Sequence, residues 1–156
     1  MDFRIRGLQA GPFLPLFALD EVRLAEMGAQ RVTAEDSRGY PCRISLRDAA
    51  PGETLILLPY QHQPAASPYR ASGPIFVREA ARETYDRVNA VPEQMRRRLV
   101  SLRAYDGRDW IIDADVVEGA RVETLIARLL ADPRTAYMHA HWARYGCYAC
   151  RIDRAA

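Results

Sequence analysis

Residues Arg98–Ala131 read RLVSLRAYDGRDWIIDADVVEGARVETLIARLLA, and three features of this stretch decide the fold class. Two runs rich in apolar and β-branched residues, Arg98 to Tyr105 and Arg108 to Val117, flank Asp106-Gly107. That pair is preferred in a two-residue type I′ hairpin turn, because both residues tolerate positive φ. From Gly119 to Ala131 the period changes: Val122, Leu125, Ile126, Leu129 and Leu130 fall at i, i+3, i+4, i+7 and i+8, one full apolar face of a helix. Asp132-Pro133 ends it. A hairpin followed by a single substantial helix predicts an α+β fold, a largely antiparallel sheet covered by one main helix. Because that helix separates two strands, a mixed sheet with one parallel crossover is open.

The rest of the chain reads as further strands. Thr135 to Ala143 and Cys147 to Asp153 form a closing hairpin around Arg144-Tyr145-Gly146. On the other side, Gln30 to Glu35, Pro41 to Arg47, Thr54 to Tyr60 and Pro74 to Arg78 are short strand-like runs separated by Gly, Pro and Asp signals. The total is about eight short strands. Asp20 is a good N-cap and Gly28 a good stop for a short helix through Val22, Leu24 and Met27. Ala80 to Met95 reads as a surface connection in which Pro92 opens a single helical turn.

A chain of 156 residues is expected to form a single globular domain, 1–156, large enough to need no disulfide or structural metal. Its 22 basic and 20 acidic residues leave a formal charge of +2, too little to hold a nucleic acid or an anionic membrane surface. Every basic residue is Arg. The absence of Lys closes Schiff-base and pyridoxal chemistry and the lysine-dependent phosphate loop. No cofactor motif is present, and the sequence leaves the oligomeric state open. The first residues lack the apolar core of a signal peptide, and three cysteines cannot all pair within the chain, so a cytoplasmic protein with free thiols is expected.

Two stretches carry candidate chemistry. Tyr60 to Pro64 and Ser67 to Glu79 read as a polar loop between strands, with His62 as candidate acid or base. In it Arg70 would grip a small anionic molecule, and Ser67, Ser72 and Gly73 would complete the cradle. The bland alternative is a turn-rich crossing with a surface ion pair. The second stretch holds His139 and His141, which alternate onto one strand face, followed by Cys147 and Cys150. Two imidazoles and two thiolates can complete a tetrahedral zinc site. An odd offset on a strand, however, sends Cys147 and Cys150 to opposite faces, so no metal is expected there and a buried structural cysteine is favoured. Asp109, Asp113 and Asp115 read as a solvated sheet face, and Arg96 to Arg98 as a solvated strand start.

Gly39-Tyr40-Pro41-Cys42-Arg43-Ile44-Ser45-Leu46-Arg47-Asp48, the stretches Tyr60 to Pro64 and Ser67 to Glu79, and Gly146-Cys147-Tyr148 together resemble the bacterial family catalogued as domain of unknown function 1203. The resemblance implies a bacterial, cytoplasmic, single-domain protein and carries over no catalytic residue or cofactor. Three functions therefore stand side by side. One is binding or conversion of a small anionic metabolite at the His62/Arg70 loop. The second is a structural or protein-interaction domain without catalysis. The third is a zinc or thiol protein using His139, His141, Cys147 and Cys150.

Overall fold

The computed structural model describes residues 1–156 as an α+β fold whose nine strands form two sheets. The strands are β1 (Phe3–Arg6), β2 (Gln30–Thr33), β3 (Thr54–Gln63), β4 (Ala71–Arg78), β5 (Asp86–Val88), β6 (Leu99–Tyr105), β7 (Ile111–Glu118), β8 (Tyr137–Trp142) and β9 (Tyr148–Arg154). The helices are α1 (Glu21–Glu26), α2 (Glu93–Arg96) and α3 (Val122–Ala131). The larger sheet has the order β5-β1-β9-β8-β6-β7 and the smaller one β2-β3-β4, with every ladder antiparallel.

Because β7 and β8 both run antiparallel to β6, they are parallel to each other, and α3 is the connection that carries the chain across β6. Val122, Leu125, Ile126, Leu129 and Leu130 of α3 are all buried, as the helical period predicts. They pack on Val100, Leu102 and Ala104 of β6 and Met138 and Ala140 of β8. A second core lies under the smaller sheet, where Leu24 of α1 meets Ile56, Ile75 and Val77. Asp20 caps α1, its carboxylate accepting the Arg23 N–H at 2.9 Å, and Gly28 ends the turn at φ +70°.

Four details of the sequence reading change. The strands belong to two sheets, not one. Pro41 to Arg47 is a turn held by isolated bridges, Pro41 to Asp48 and Cys42 to Phe76, because the Arg43 and Ile44 backbones turn away to bond Leu8 and Tyr85. The β6–β7 connection is longer than two residues: Asp109, at φ +64°, takes the left-handed position, and the Asp106 carboxylate accepts the N–H groups of Arg108 and Trp110. An aspartate that bonds its own loop in this way outcompetes the tighter turn. Finally, β3 and β4 extend well into the stretch read as a polar loop, so that only Pro64–Arg70 remains outside strands there.

Gly119, where the chain leaves β7 for α3, packs so closely on α2 that a Cβ would stand 1.8 Å from the Met95 carbonyl oxygen. Gly119→Ala therefore strains the backbone junction and lowers the denaturation midpoint sharply. Gly107→Ala, at a position where a Cβ meets nothing within 4 Å, leaves it within about 0.5 kcal/mol of the parent. Leu129→Ala, deep under the sheet, costs about 2–5 kcal/mol in denaturant unfolding through lost transfer energy and a residual cavity.

Candidate functional site

β8 is buried along its whole length. Met138, Ala140 and Trp142 belong to the α3 core, so strand alternation turns Tyr137, His139 and His141 to the opposite face. The smaller sheet closes over part of that face and brings His62 with it. All three histidines of the chain thus meet. Ring centres lie 5.1 Å apart for His62 and His141, 6.2 Å for His62 and His139, and 6.5 Å for His139 and His141.

Three β-bulges shape this meeting. On β3, Tyr60 opposes Gly73 and Gln63 opposes Ala71, so two residues, Gln61 and His62, face Ser72 alone. On β9, Cys150 opposes Ala140 while Tyr148 opposes His141, which leaves Ala149 as the extra residue. The extra residue reverses the alternation: Ala149 and Cys150 both belong to the α3 core, and Tyr148 turns to the histidine side. There its ring stacks on His62 at 5.2 Å with 9° between planes. A third bulge, at Ile112 on β7, lies beside Tyr105, whose ring stacks on Tyr137 at 5.0 Å.

Hydrogen bonds tie the rim together. Gln63 Nε2 donates to the Tyr137 hydroxyl at 2.9 Å, and that hydroxyl donates to Asp109 Oδ1 at 2.7 Å. Ser67 Oγ donates to the Asp109 carbonyl at 3.3 Å, joining the β3–β4 loop to the β6–β7 loop. The imidazoles are less well served. His141 Nδ1 lies 2.9 Å from the Gly146 carbonyl, which fixes it as the donor and leaves Nε2 a lone pair. His141 Nε2, His139 Nδ1 and His62 Nδ1 are all buried with no hydrogen-bond partner.

Burial sets the charge state. It pushes His139 down to about 3, with His141, His62, Arg151 and Arg103 adding to the effect. It pushes His141 down to about 4, opposed by the hydrogen bond to Gly146. His62 is lowered in the same direction by burial and by the Arg103 guanidinium. Burial also raises Tyr148 and Tyr60 above the usual phenol range, so the cluster is neutral at pH 7.

The other sequence candidates disperse. Arg70 and Ser72 are exposed, and Gly73 is paired in the β3–β4 ladder, so with Ser67 bound to Asp109 they form no common cradle around His62. The cations that do stand beside the histidines are Arg103 and Arg151, directly across from His139 on β6 and β9. Sequence reading missed them because nothing local distinguishes one strand arginine from another. Cys150 is buried in the α3 core, while Cys147 is half-buried near the surface, so His139, His141, Cys147 and Cys150 do not converge. No three His, Cys, Asp or Glu side chains of the chain are gathered at metal-ligand spacing. Asp113 and Asp115 are exposed, as expected, and bond Arg128, whereas Asp109 belongs to the loop.

Beside the cluster, where the two sheets meet the Arg38–Arg43 and Arg144–Cys147 turns, lies a cleft of about 650 Å³. Arg38, Arg43, Arg97, Arg98 and Arg144 line it against a single lining carboxylate, Glu118. Phe76, Trp142 and Tyr145 supply an apolar wall. Asp48 pairs with Arg97 and Arg98, so the run Arg96 to Arg98 is tied into ion pairs, the first of its members to Glu123. Arg43 has no carboxylate. It is 2% exposed, and its Nε and Nη1 donate to the Tyr148 and Pro41 carbonyls. Burial lowers it to about 10, which leaves it charged at neutral pH.

A family model described as protein of unknown function (DUF1203) matches residues 39–154, and the chain belongs to that family. No curated protein and no solved structure matches the chain significantly.

The buried imidazoles make stability depend on pH. Between about 3 and 6.5 the unfolded chain binds protons that folded His139 and His141 refuse, so unfolding gains protons and stability falls as pH is lowered through that window. Denaturant midpoints measured from pH 7 to pH 4 decrease. In the double variant His139→Gln/His141→Gln the slope over that range is smaller, because two of the groups that titrate on unfolding are gone.

Proposed function

We propose that this DUF1203 protein binds a small anionic metabolite in the arginine-lined cleft. Arg43 carries the reading. A charged side chain removed from water is costly unless it is paired, and this one is satisfied only by neutral carbonyls while it lines an open cleft. A carboxylate or phosphate entering the cleft supplies the missing counter-charge, with Arg38 and Arg144 on the rim as further donors. The cleft volume lies within the usual 300–1,000 Å³ range of small-molecule sites, and its aromatic wall suits a ligand with a flat apolar body.

This keeps the class of ligand expected from the sequence and moves its anchor from Arg70 to Arg43. His62 is not among the cleft's lining residues, so the reading is one of binding. We assign the protein to the cytoplasm of a bacterium, where three free thiols stay reduced. No helix is long and apolar enough to cross a membrane.

Thermal shift against phosphate, pyrophosphate and aromatic carboxylates tests the assignment, since ligands of the native state raise the melting temperature by mass action. At least one anion class stabilises the parent, less so in high salt. Arg144→Ala and Arg38→Ala, both at exposed positions, reduce the shift by weakening binding about tenfold, on the order of 1.4 kcal/mol. Arg70→Ala leaves it unchanged. Loss of the shift with Arg70→Ala and its survival in Arg144→Ala and Arg38→Ala would return the site to the β3–β4 loop, and no response to any anion would favour an interaction protein.

A further inference from the structure

Cys147 is the one thiol in the lining of the arginine cleft, and binding of an anion by itself gives it no task. We propose that Cys147 is a modification site that exchanges with disulfides of small anionic thiols, tethering the anion in the cleft as a mixed disulfide. The inference rests on the reading of the cleft as an anion site and narrows the class of molecule that enters it.

Three observations converge on this thiol. The first is access. Cys42 is 0% exposed and Cys150 1% exposed, each sealed in the core of its own sheet, and burial pushes Cys150 up to about 12. Cys147 is only half-buried, and its one hydrogen bond is long, 3.9 Å to the Tyr145 carbonyl. The second is the cation beside it. Burial lowers Arg43, and the first of the neighbours acting against that effect is Cys147. Arg43 Nε and Nη1 are held by carbonyls, whereas Nη2 has no partner and is not among the atoms sealed from solvent, so it meets the cleft. A nine-tenths buried guanidinium with a free donor is a place for a negatively charged group. The third is the wall. Trp142 N–H donates to the Cys147 carbonyl at 2.8 Å and Gly146 N–H to the Trp142 carbonyl at 2.7 Å, so a closed hairpin holds the thiol beside the indole. Trp142 is itself buried with Nε1 unpartnered, a second open donor in a lining residue.

The exchange step needs nothing further. The Cys147 thiolate attacks one sulfur of the disulfide, the new Sγ–S bond forms as the S–S bond of the reagent breaks, and the departing thiolate takes up the proton that Cys147 released. Cys147 is oxidised and the departing half is reduced, so the disulfide is the only oxidant. Negative charge spreads along the line of reacting sulfurs, and an anionic reagent adds its own. Arg43 within the cleft and Arg144 at its rim offset that repulsion, which favours anionic over neutral and neutral over cationic disulfides. With Cys42 and Cys150 sealed, no second thiol of the chain is open to solution to displace the tethered molecule, and release waits for an external thiol.

The test follows modification of the reduced full chain by mass spectrometry with three aliphatic disulfides: dithiodipropionate (anionic), hydroxyethyl disulfide (neutral) and cystamine (cationic). Each rate is divided by that of a small neutral thiol with the same reagent. One adduct forms per chain, and the normalised rates fall from anionic to cationic by about tenfold or more at low salt. Arg144→Ala narrows that span about threefold, and Arg70→Ala leaves it as in the parent. Cys147→Ser forms no adduct. An unreactive parent, an adduct that persists in Cys147→Ser, or rates without a charge order overturns the assignment. Thermal shifts of the reduced parent with phosphate, pyrophosphate and aromatic carboxylates involve no disulfide. If they appear while Cys147 is unreactive, the modification site alone falls; if they are absent, it is the anion reading of the cleft that fails.

Discussion

Everything in this molecule is organised around a strand that has no outside. β8 lies in the interior of the larger sheet with both faces covered. One face is filled by Met138, Ala140 and Trp142 against α3, which is ordinary hydrophobic packing and carries most of the larger core. The other face must then bury Tyr137, His139 and His141 as well. Polar side chains on a doubly covered strand are tolerated only where neighbours desolvate and partner them together, and here the partners are largely other rings. The stacking of Tyr105 on Tyr137 and of His62 on Tyr148, with His139 edge-on to Tyr148, is the structural response to that demand.

The smaller sheet owes its position to the same constraint. It supplies His62 and Gln63 from the end of β3, and Gln63 satisfies the Tyr137 hydroxyl. Arg43 completes the junction from the other side by donating to the Tyr148 carbonyl. One residue, Tyr148, therefore joins the two regions: its ring belongs to the histidine cluster, and its carbonyl holds the guanidinium that lines the cleft. A ligand that pulls on Arg43 acts on the backbone of the β9 bulge, next to His141. The two regions are mechanically adjacent while sharing no lining residue.

The electrostatics of the two regions differ in a way that burial explains. In the histidine cluster desolvation removes charge, because an imidazole can become neutral within the accessible pH range. In the cleft desolvation leaves charge in place, because a guanidinium starts so high that even a substantial drop keeps it protonated. The same physical penalty thus yields a neutral, lone-pair-rich pocket on one side of Tyr148 and a cationic one on the other.

Much of this was legible in the chain. The period of Val122 to Leu130, the strand runs around Asp106-Gly107 and the cap at Asp20 are local signals, each decided by residues within a turn or two of one another, and the structure follows them. His62 and the pair His139 and His141 were also visible as unusual residues, but as two separate constellations. Their union was beyond sequence reasoning because it depends on non-local facts: the stacking of one sheet on another, and bulges that turn Tyr148 and Gln63 toward the histidine side. Period-two reasoning assumes an unbroken ladder, and one inserted residue sends every side chain beyond it to the other face. The same limit hid Arg43 and Arg103. Arginine is the only basic residue of the chain and occurs throughout it, so its identity says nothing about role. Local periodicity settled which segments are helix or strand, whereas burial and the absence of a carboxylate, properties created only when distant segments pack, decided which arginine matters.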